Sequence, residues 1–253
     1  MLYLFLMKLK KQTIFIFSIL FWLLIWELVA RAINQSILLV SPIQVLARLF
    51  QLIPQKIFWK SIGFSTLRIL TGLVIGIIVA TLLSMLSYRY TWVRVLLSPL
   101  VMVIKSTPVA SIVVVVLIYV SSKNLSIIIS FMMVFPVLYN NILQGLDSTP
   151  KELKEMAQIF NLSTKAKVKA IYIPHLGPYF ISACTTAMGF AWKSGIAAEV
   201  IGIPRGSIGE RLYDAKIYFA TADIFAWTVT IIILSSLFEK AFKLIANKIE
   251  ATL

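Results

Sequence analysis

EMAQIFNLSTKAKVKAIYIP (Glu155–Pro174) is a polar, lysine-rich stretch in a chain of 253 residues that is 60% hydrophobic and only 13% charged. Its period is helical. Pro150 and Glu152 stand where a helix start favours proline and acidic residues. Leu153, Met156, Ala157 and Phe160 fall on one face of that helix. Asn161 tolerates the left-handed conformation that ends a helix. Ser163 then caps a second short helix over 164–172, with Lys165, Lys167 and Lys169 along its edges, and Pro174 marks the stop before apolar sequence resumes. A plain connecting loop needs none of this order. An apolar patch ringed by charge fits a groove on a partner protein, and its lysines equally suit an anionic lipid surface.

The sequence on both sides of this insert is apolar enough to cross a bilayer. A helical span needs about 20 mostly apolar residues. Six stretches meet that need: 12–34, 62–87, 96–120, 125–146, 176–200 and 222–246. The runs are continuous, not alternating, which excludes a transmembrane barrel. The expected fold is therefore an all-α polytopic membrane protein with about six transmembrane helices and no room for a separate catalytic module. The net charge of +14 orients the chain and does not imply a nucleic-acid partner. Lysine and arginine concentrate in the N-terminal segment, at 89–94, in the insert and at the C-terminus. By the positive-inside rule this puts both termini and 147–175 in the cytoplasm of a multi-pass cell-membrane protein. The first span has a basic start and an Ala30-Arg31-Ala32 end like a signal peptide, but it is long and carries Glu27, so it reads as an uncleaved anchor.

Two regions follow from this pass: 1–60, a first span plus an outer amphipathic segment, and 61–246, a transmembrane core containing the loop 147–175. In the outer segment, Ser41 and Pro42 begin a helix whose Val45, Leu46, Leu49, Phe50 and Ile53 form an apolar stripe suited to lying on the membrane surface. In the second span Gly72, Gly76, Ala80 and Ser84 recur every fourth residue, a small-residue stripe that lets another helix approach closely. That neighbour could belong to the same subunit or to a second one. The third span is irregular, with Lys105 and Pro108 inside it. A kinked span starting before Pro108 puts Lys105 near mid-bilayer, whereas a segment lying flat lets it snorkel.

Lys193, in the outer half of the fifth span, is the charge most in need of a reason, because insertion there costs about 2.5–3.5 kcal/mol. Thr186 and Gly189 share its face, which is small and polar and suits a water-lined path. Lys193 with Thr186, Gly189 and Lys105 are the candidate translocation-path residues; a structural role reaching another span is the alternative for Lys193. Glu27 and Glu199 fall near span ends and are expected at the interface. Residues 202–216 are glycine-rich with alternating charge and read as an outer gate or docking surface, not as a phosphate-binding loop. Cys184 is a packed small hydrophobe. No catalytic constellation and no metal-ligand spacing appear, and His175 stands alone next to Pro174. The chain is expected not to be an enzyme.

The spacing Glu155-Met156-Ala157, then Asn161, then Ile171-x-Ile173-Pro174 resembles the EAA loop of ATP-binding-cassette (ABC) importer permeases. That motif runs Glu-Ala-Ala, three residues, Gly, nine residues, Ile-x-Leu-Pro. Met156, Asn161 and Ile173 depart from it, but each keeps helix propensity, left-handed tolerance or volume. SPIQVLARLF (41–50), TLRILTGLVIGIIVATLLSML (66–86), AWKSGIAAEVIG (191–202) and GSIGERLYDAK (206–216) resemble the nitrate, sulfonate and taurine subfamily. The resemblance implies a type I (MetI-like) importer permease core. It further implies a homodimer, a cytoplasmic ATP-binding subunit that carries ATP and magnesium and is gripped by the loop, and an extracytoplasmic solute-binding protein. No cofactor is implied in this chain. The solute expected is small and polar, by preference an anion such as a sulfonate, nitrate or taurine. The rival is an ion-coupled carrier or channel without an ATPase, for which inverted repeats would speak; none is visible.

Overall fold

The computed structural model describes residues 2–250, and among them there is no strand. The helices in order are α1 (Leu2–Ile33), α2 (Pro42–Leu52), α3 (Lys56–Arg89), α4 (Thr91–Ser106), α5 (Val109–Tyr119), α6 (Ser122–Asp147), α7 (Lys151–Ile159), α8 (Thr164–Lys167), α9 (Ile173–Gly202), α10 (Ile208–Ile217) and α11 (Thr221–Glu250). They form two compact units, 1–59 with 211–230, and 60–210 with 231–253.

In the first unit a capping box starts α2: the Ser41 hydroxyl accepts from Gln44 N–H and the Gln44 side chain accepts from Ser41 N–H. Two of the orphan donors at the helix start are thereby satisfied. The Arg48 guanidinium forms a forked pair with the Asp223 carboxylate, tying α2 to the start of α11. Thr221 Oγ1 donates to Ile37 O at 2.6 Å, Trp26 Nε1 donates to Val40 O at 3.0 Å, and the Trp26 and Phe225 rings lie 5.4 Å apart. Val45 and Leu52 are buried in this unit, while Leu46, Phe50 and Ile53 stay exposed. The single stripe expected on α2 is thus divided between the protein interior and an outward apolar face.

The second unit is built on α6 and α9, which lie side by side along most of their length. Close approach is made by glycines. A Cβ on Gly195 would fall 2.6 Å from Ile69 and from the Ser130 hydroxyl, and one on Gly145 would fall 2.8 Å from Leu176. The stripe on α3 is used in the same way. A Cβ on Gly72 would sit 2.3 Å from Ile127 O, and one on Gly76 would sit 2.8 Å from Val134. Ala80 is buried, and the Ser84 hydroxyl donates to Ala80 O and Tyr139 O. Here small residues bring α3 against α6 within one chain, where dispersion contacts and interhelical hydrogen bonds replace the hydrophobic drive that lipid does not supply.

Several expectations need correction. Among the described residues four helices are long and apolar enough to cross a membrane: Ile16–Ile33, Lys56–Arg89, Ser122–Asp147 and Thr221–Ala246. Counting α4 and α5 as one broken span makes five, so the expected six is not reached on this measure. The expected span 176–200 lies in α9, which is 30 residues long but rich in Gly, Ala, Ser and Thr and interrupted by Lys193 and Glu199. Its inner face rests on α6 and α3, so it does not need lipid-soluble side chains all round. The kinked third span is replaced by two helices meeting at 110°. Thr107 is extended and Pro108 N-caps α5; proline disfavours the helical conformation for the residue before it. Lys105 lies in the last turn of α4 and is exposed, while Val93, Val101 and Ile104 of that helix are buried. The α4 segment is thus amphipathic, and a mid-bilayer Lys105 on a continuous helix does not fit it.

Pro174 is not a stop either. After α8 the chain widens into a π turn over Val168–Tyr172 and runs directly into α9, with Pro174 in its first turn. Ile173 N–H donates five residues back to Val168 O. Proline's ring would otherwise meet the carbonyl four residues back, and the wider turn accommodates it. The second short helix is therefore four α-helical residues plus a π turn, not 164–172 throughout.

Candidate functional site

Side-chain contacts join the two ends of the loop 147–175. At its entry the Asp147 carboxylate pairs with Arg94 at 3.0 Å, and the Ser148 hydroxyl lies 3.2 Å from His175 Nε2 and 3.1 Å from the Tyr179 hydroxyl. His175 thus links the end of α6 to the start of α9. Helix α7 ends in a Schellman motif. Leu162 N–H donates to Ala157 O and Asn161 N–H donates to Gln158 O, each at 3.0 Å, with Asn161 at φ +47°. The side-chain hydroxyl of Ser163 accepts from Ala166 N–H, as its sequence position predicts. Ala157 is 2% exposed and turned toward the protein, whereas Met156, Ile159 and Phe160 are 40%, 77% and 71% exposed. Phe160 and Met156 therefore belong to an outward face with Ile159, and Ala157 does not. Glu155 is exposed on the same helix, Ile171 is buried behind it, and Ile173 and Pro174 are exposed at the junction with α9. Tyr172 meets the Tyr88 ring edge-on at 6.2 Å. Burial, then its hydrogen bond with Tyr88, push the Tyr172 phenol up to about 12.

Three of the four expected path residues, Thr186, Gly189 and Lys193, share one accessible face of α9. Ser182, Thr186 and Lys193 are exposed, Gly189 is half-buried with nothing within 4 Å of where its Cβ would be, and Thr186 Oγ1 donates back to Ser182 O. The other side of α9, from Ala183 through Cys184, Ala187, Ala191 and Trp192 to Ala198, is buried. The accessible strip is mostly small and polar with one cation, and the exposed Phe190 ring stands in it between Thr186 and Lys193. Lys105 belongs to α4 and is not part of the strip.

The C-terminal end of α9 holds the residues the sequence reading missed. Glu199 is fully buried, not interfacial. Its Oε2 accepts from Ser65 Oγ at 2.6 Å and from Gly209 N–H at 3.3 Å, while the Ser65 hydroxyl also accepts from Ile208 N–H at 2.9 Å. The carboxylate thereby ties α3, α9 and the start of α10 together. Gly209 is required here, since a Cβ would fall 2.3 Å from Glu199. The connecting residue Ile203 sits at φ +48°, a strained conformation for a β-branched side chain; its N–H donates to Glu199 O at 2.8 Å. Arg68 completes the group, its Nε donating to Lys123 O at 2.6 Å and its guanidinium 3.6 Å over the Phe64 ring. The signal in the sequence was an acid six residues after Lys193 beside a run of glycines, and only its partner Ser65, 134 residues away, explains it. Among the described residues no group of His, Cys, Asp or Glu side chains is arranged to hold a metal ion.

Comparison with known proteins gives the family. Residues 72–251 match the family described as binding-protein-dependent transport system inner membrane component. The chain is 25% identical over 189 residues to the formylaminopyrimidine transport permease protein of Halalkalibacterium halodurans, covering 73% of this chain and 74% of that one. It is 24% identical over 220 residues to the nitrate import permease protein of Synechococcus elongatus, covering 82% and 78%. To the putative aliphatic sulfonates transport permease protein of Bacillus subtilis it is 19% identical over 228 residues, covering 89% and 82%. The family match begins midway along α3, continues through α11 and includes both the loop and the α9 strip. The chain belongs to the binding-protein-dependent transport system inner membrane components, the ABC importer permeases, and is a transport subunit rather than an enzyme.

Proposed function

We propose that this chain forms, as a homodimer, the translocation path of an ABC importer. It couples to a separate cytoplasmic ATP-binding subunit, which carries ATP and magnesium, through the loop 147–175, and receives solute from an extracytoplasmic binding protein. The observation that carries the reading is the outward face of α7. Met156, Ile159 and Phe160 are exposed beside Glu155 on a helix whose inner side, at Ala157, is buried. Helix α7 is stiffened by its Schellman end and by the Asp147 and His175 anchors. A stiff helix with an apolar face and a charged rim fits a groove on a partner protein and transmits a push without bending. The solute is small and polar, by preference an anion. Lys193 stands open on the α9 strip, and two of the relatives above are named for nitrate and for aliphatic sulfonates.

Glu155→Lys tests the coupling. The substitution reverses a charge at the rim of the docking face and touches no buried contact, so membrane insertion and abundance stay at wild-type level. Uptake is expected to fall at least about tenfold, as for a like-charge juxtaposition in an interface costing several kcal/mol, and the ATPase is expected to be lost from the purified complex. Undiminished uptake with normal ATPase copurification would show that α7 rests only on lipid.

A further inference from the structure

Behind α7, on the side away from its exposed apolar face, lies a cavity of about 570 Å³. Its wall carries Arg89, Lys154 and Lys167 together with Gln158, Thr164 and Tyr172. The three cations come from three different elements: the last residue of α3, the first turn of α7 and the end of α8. No carboxylate lines the cavity, and none of the described ion pairs involves these three residues. Like charges gathered round one hollow raise its potential and favour an anion inside it. Lys154 is half-buried with its ammonium 5.4 Å over the Tyr88 ring, which directs a flexible side chain. Tyr172 lines the same wall and meets the Tyr88 ring edge-on at 6.2 Å.

Depth decides the anion's source. The apolar run of α3 closes at Leu86, three residues before Arg89, and Tyr172 is the residue before α9 begins. The hollow therefore lies where apolar sequence gives way to polar, the level of the headgroups, with Tyr88 and Tyr172 beside it as interfacial aromatics stand. The ATPase face of α7 points the other way: Met156, Ile159 and Phe160 are outward, while Lys154, Ala157 and Gln158, spaced by three and four, turn to the cavity. Basic pockets at the cytoplasmic ends of spans bind the heads of acidic lipids.

We propose that Arg89, Lys154 and Lys167 seat the phosphate of an anionic phospholipid headgroup, which braces the coupling loop against the end of α3. This rests on the reading of 147–175 as a cytoplasmic loop, but binding is measured on the permease alone, so a failure of ATPase coupling would not affect it.

The test uses the full-length permease in nanodiscs of phosphatidylcholine with a minor share of phosphatidylglycerol, with retained lipid counted by native mass spectrometry. Wild type is expected to keep phosphatidylglycerol in preference to phosphatidylcholine. The Arg89→Gln, Lys167→Gln double variant should lose about tenfold or more of that preference, since each cation near the surface contributes about a factor of five. A control with Lys240→Gln and Lys243→Gln removes equal charge from the C-terminal half of α11 and should keep it. Equal retention by wild type and the double variant would overturn the proposal, and so would equal loss in the control, which would mean diffuse attraction. Displacement of phosphatidylglycerol by excess inorganic phosphate would assign the hollow to a soluble anion and overturn the lipid source; retention under that challenge supports it.

Discussion

Glu199 shows how much one side chain can hold in a membrane helix. Its carboxylate accepts hydrogen bonds from Ser65 and Gly209, so truncation leaves a buried hydroxyl and a buried N–H without that acceptor. Each loss of this kind costs about 1–3 kcal/mol. Glu199→Ala is therefore expected to lower the detergent-solubilised melting temperature by several degrees and to open 203–210 to protease. Glu199→Gln keeps the size and one acceptor oxygen and should lie between Ala and wild type. If protease nicks 203–210 equally in all three proteins, the carboxylate does not hold the connection. At this scale the linear chain was a poor guide. An acid near a predicted span end looks interfacial until Ser65 is seen beside it, and that proximity depends on how α3 meets α9.

Among the elements, α7 was the most legible. Proline and acid at its start, an apolar face and an asparagine at its end are local signals, and local hydrogen bonds satisfy them. Asn161 adopts φ +47° because a short polar side chain tolerates the left-handed region. Asn161→Val puts a β-branched side chain there at a cost of about 1–2 kcal/mol and should unravel the Schellman end. Uptake is expected to fall several-fold, with Asn161→Gly at or above the wild-type level; a valine variant that transports normally would show that the end of α7 is not used. What the pattern could not reveal was which apolar residues of α7 turn inward. Ala157 is buried while Phe160 and Ile159 stand out, and residues of α8 and the π turn line the hollow on Ala157's side. The break between α4 and α5 was only half legible. Pro108 marked its position, but a kink and a bend of 110° begin from the same residue and differ in what each half rests on.

For the whole molecule the working unit is a permease that carries solute between two compartments, and two measurements address it. The first is orientation, argued from the lysine bias. In a Cys184→Ser background, single cysteines at Lys165 and Lys123 are exposed to an impermeant thiol reagent on intact cells. Only the position-123 cysteine should react, and reaction at 165 would reverse the membrane orientation proposed here. The second is the path. Lys193→Met keeps the apolar stem and removes the charge from the open α9 strip, so abundance and ATPase binding should hold while uptake of the cognate solute drops about tenfold or more, the scale of a lost charged contact. Wild-type rate and apparent affinity in that variant would make Lys193 structural and remove the main support for an anionic solute.

Length, hydropathy and charge bias were enough to establish an all-helical membrane chain and to single out the ordered polar loop 147–175, because burial in lipid and helix capping depend on residues close together in sequence. The resemblance in that loop and its flanking blocks carried the family. Only the folded chain distinguishes the inward from the outward side of α7, breaks the third span at Pro108, and reveals Glu199 as a fully buried tie. It alone gathers Arg89, Lys154 and Lys167 round one hollow. Each of these depends on contacts between helices far apart in the chain, where glycine clearances of a few ångströms set which faces meet, and no periodicity within a single helix encodes its partner.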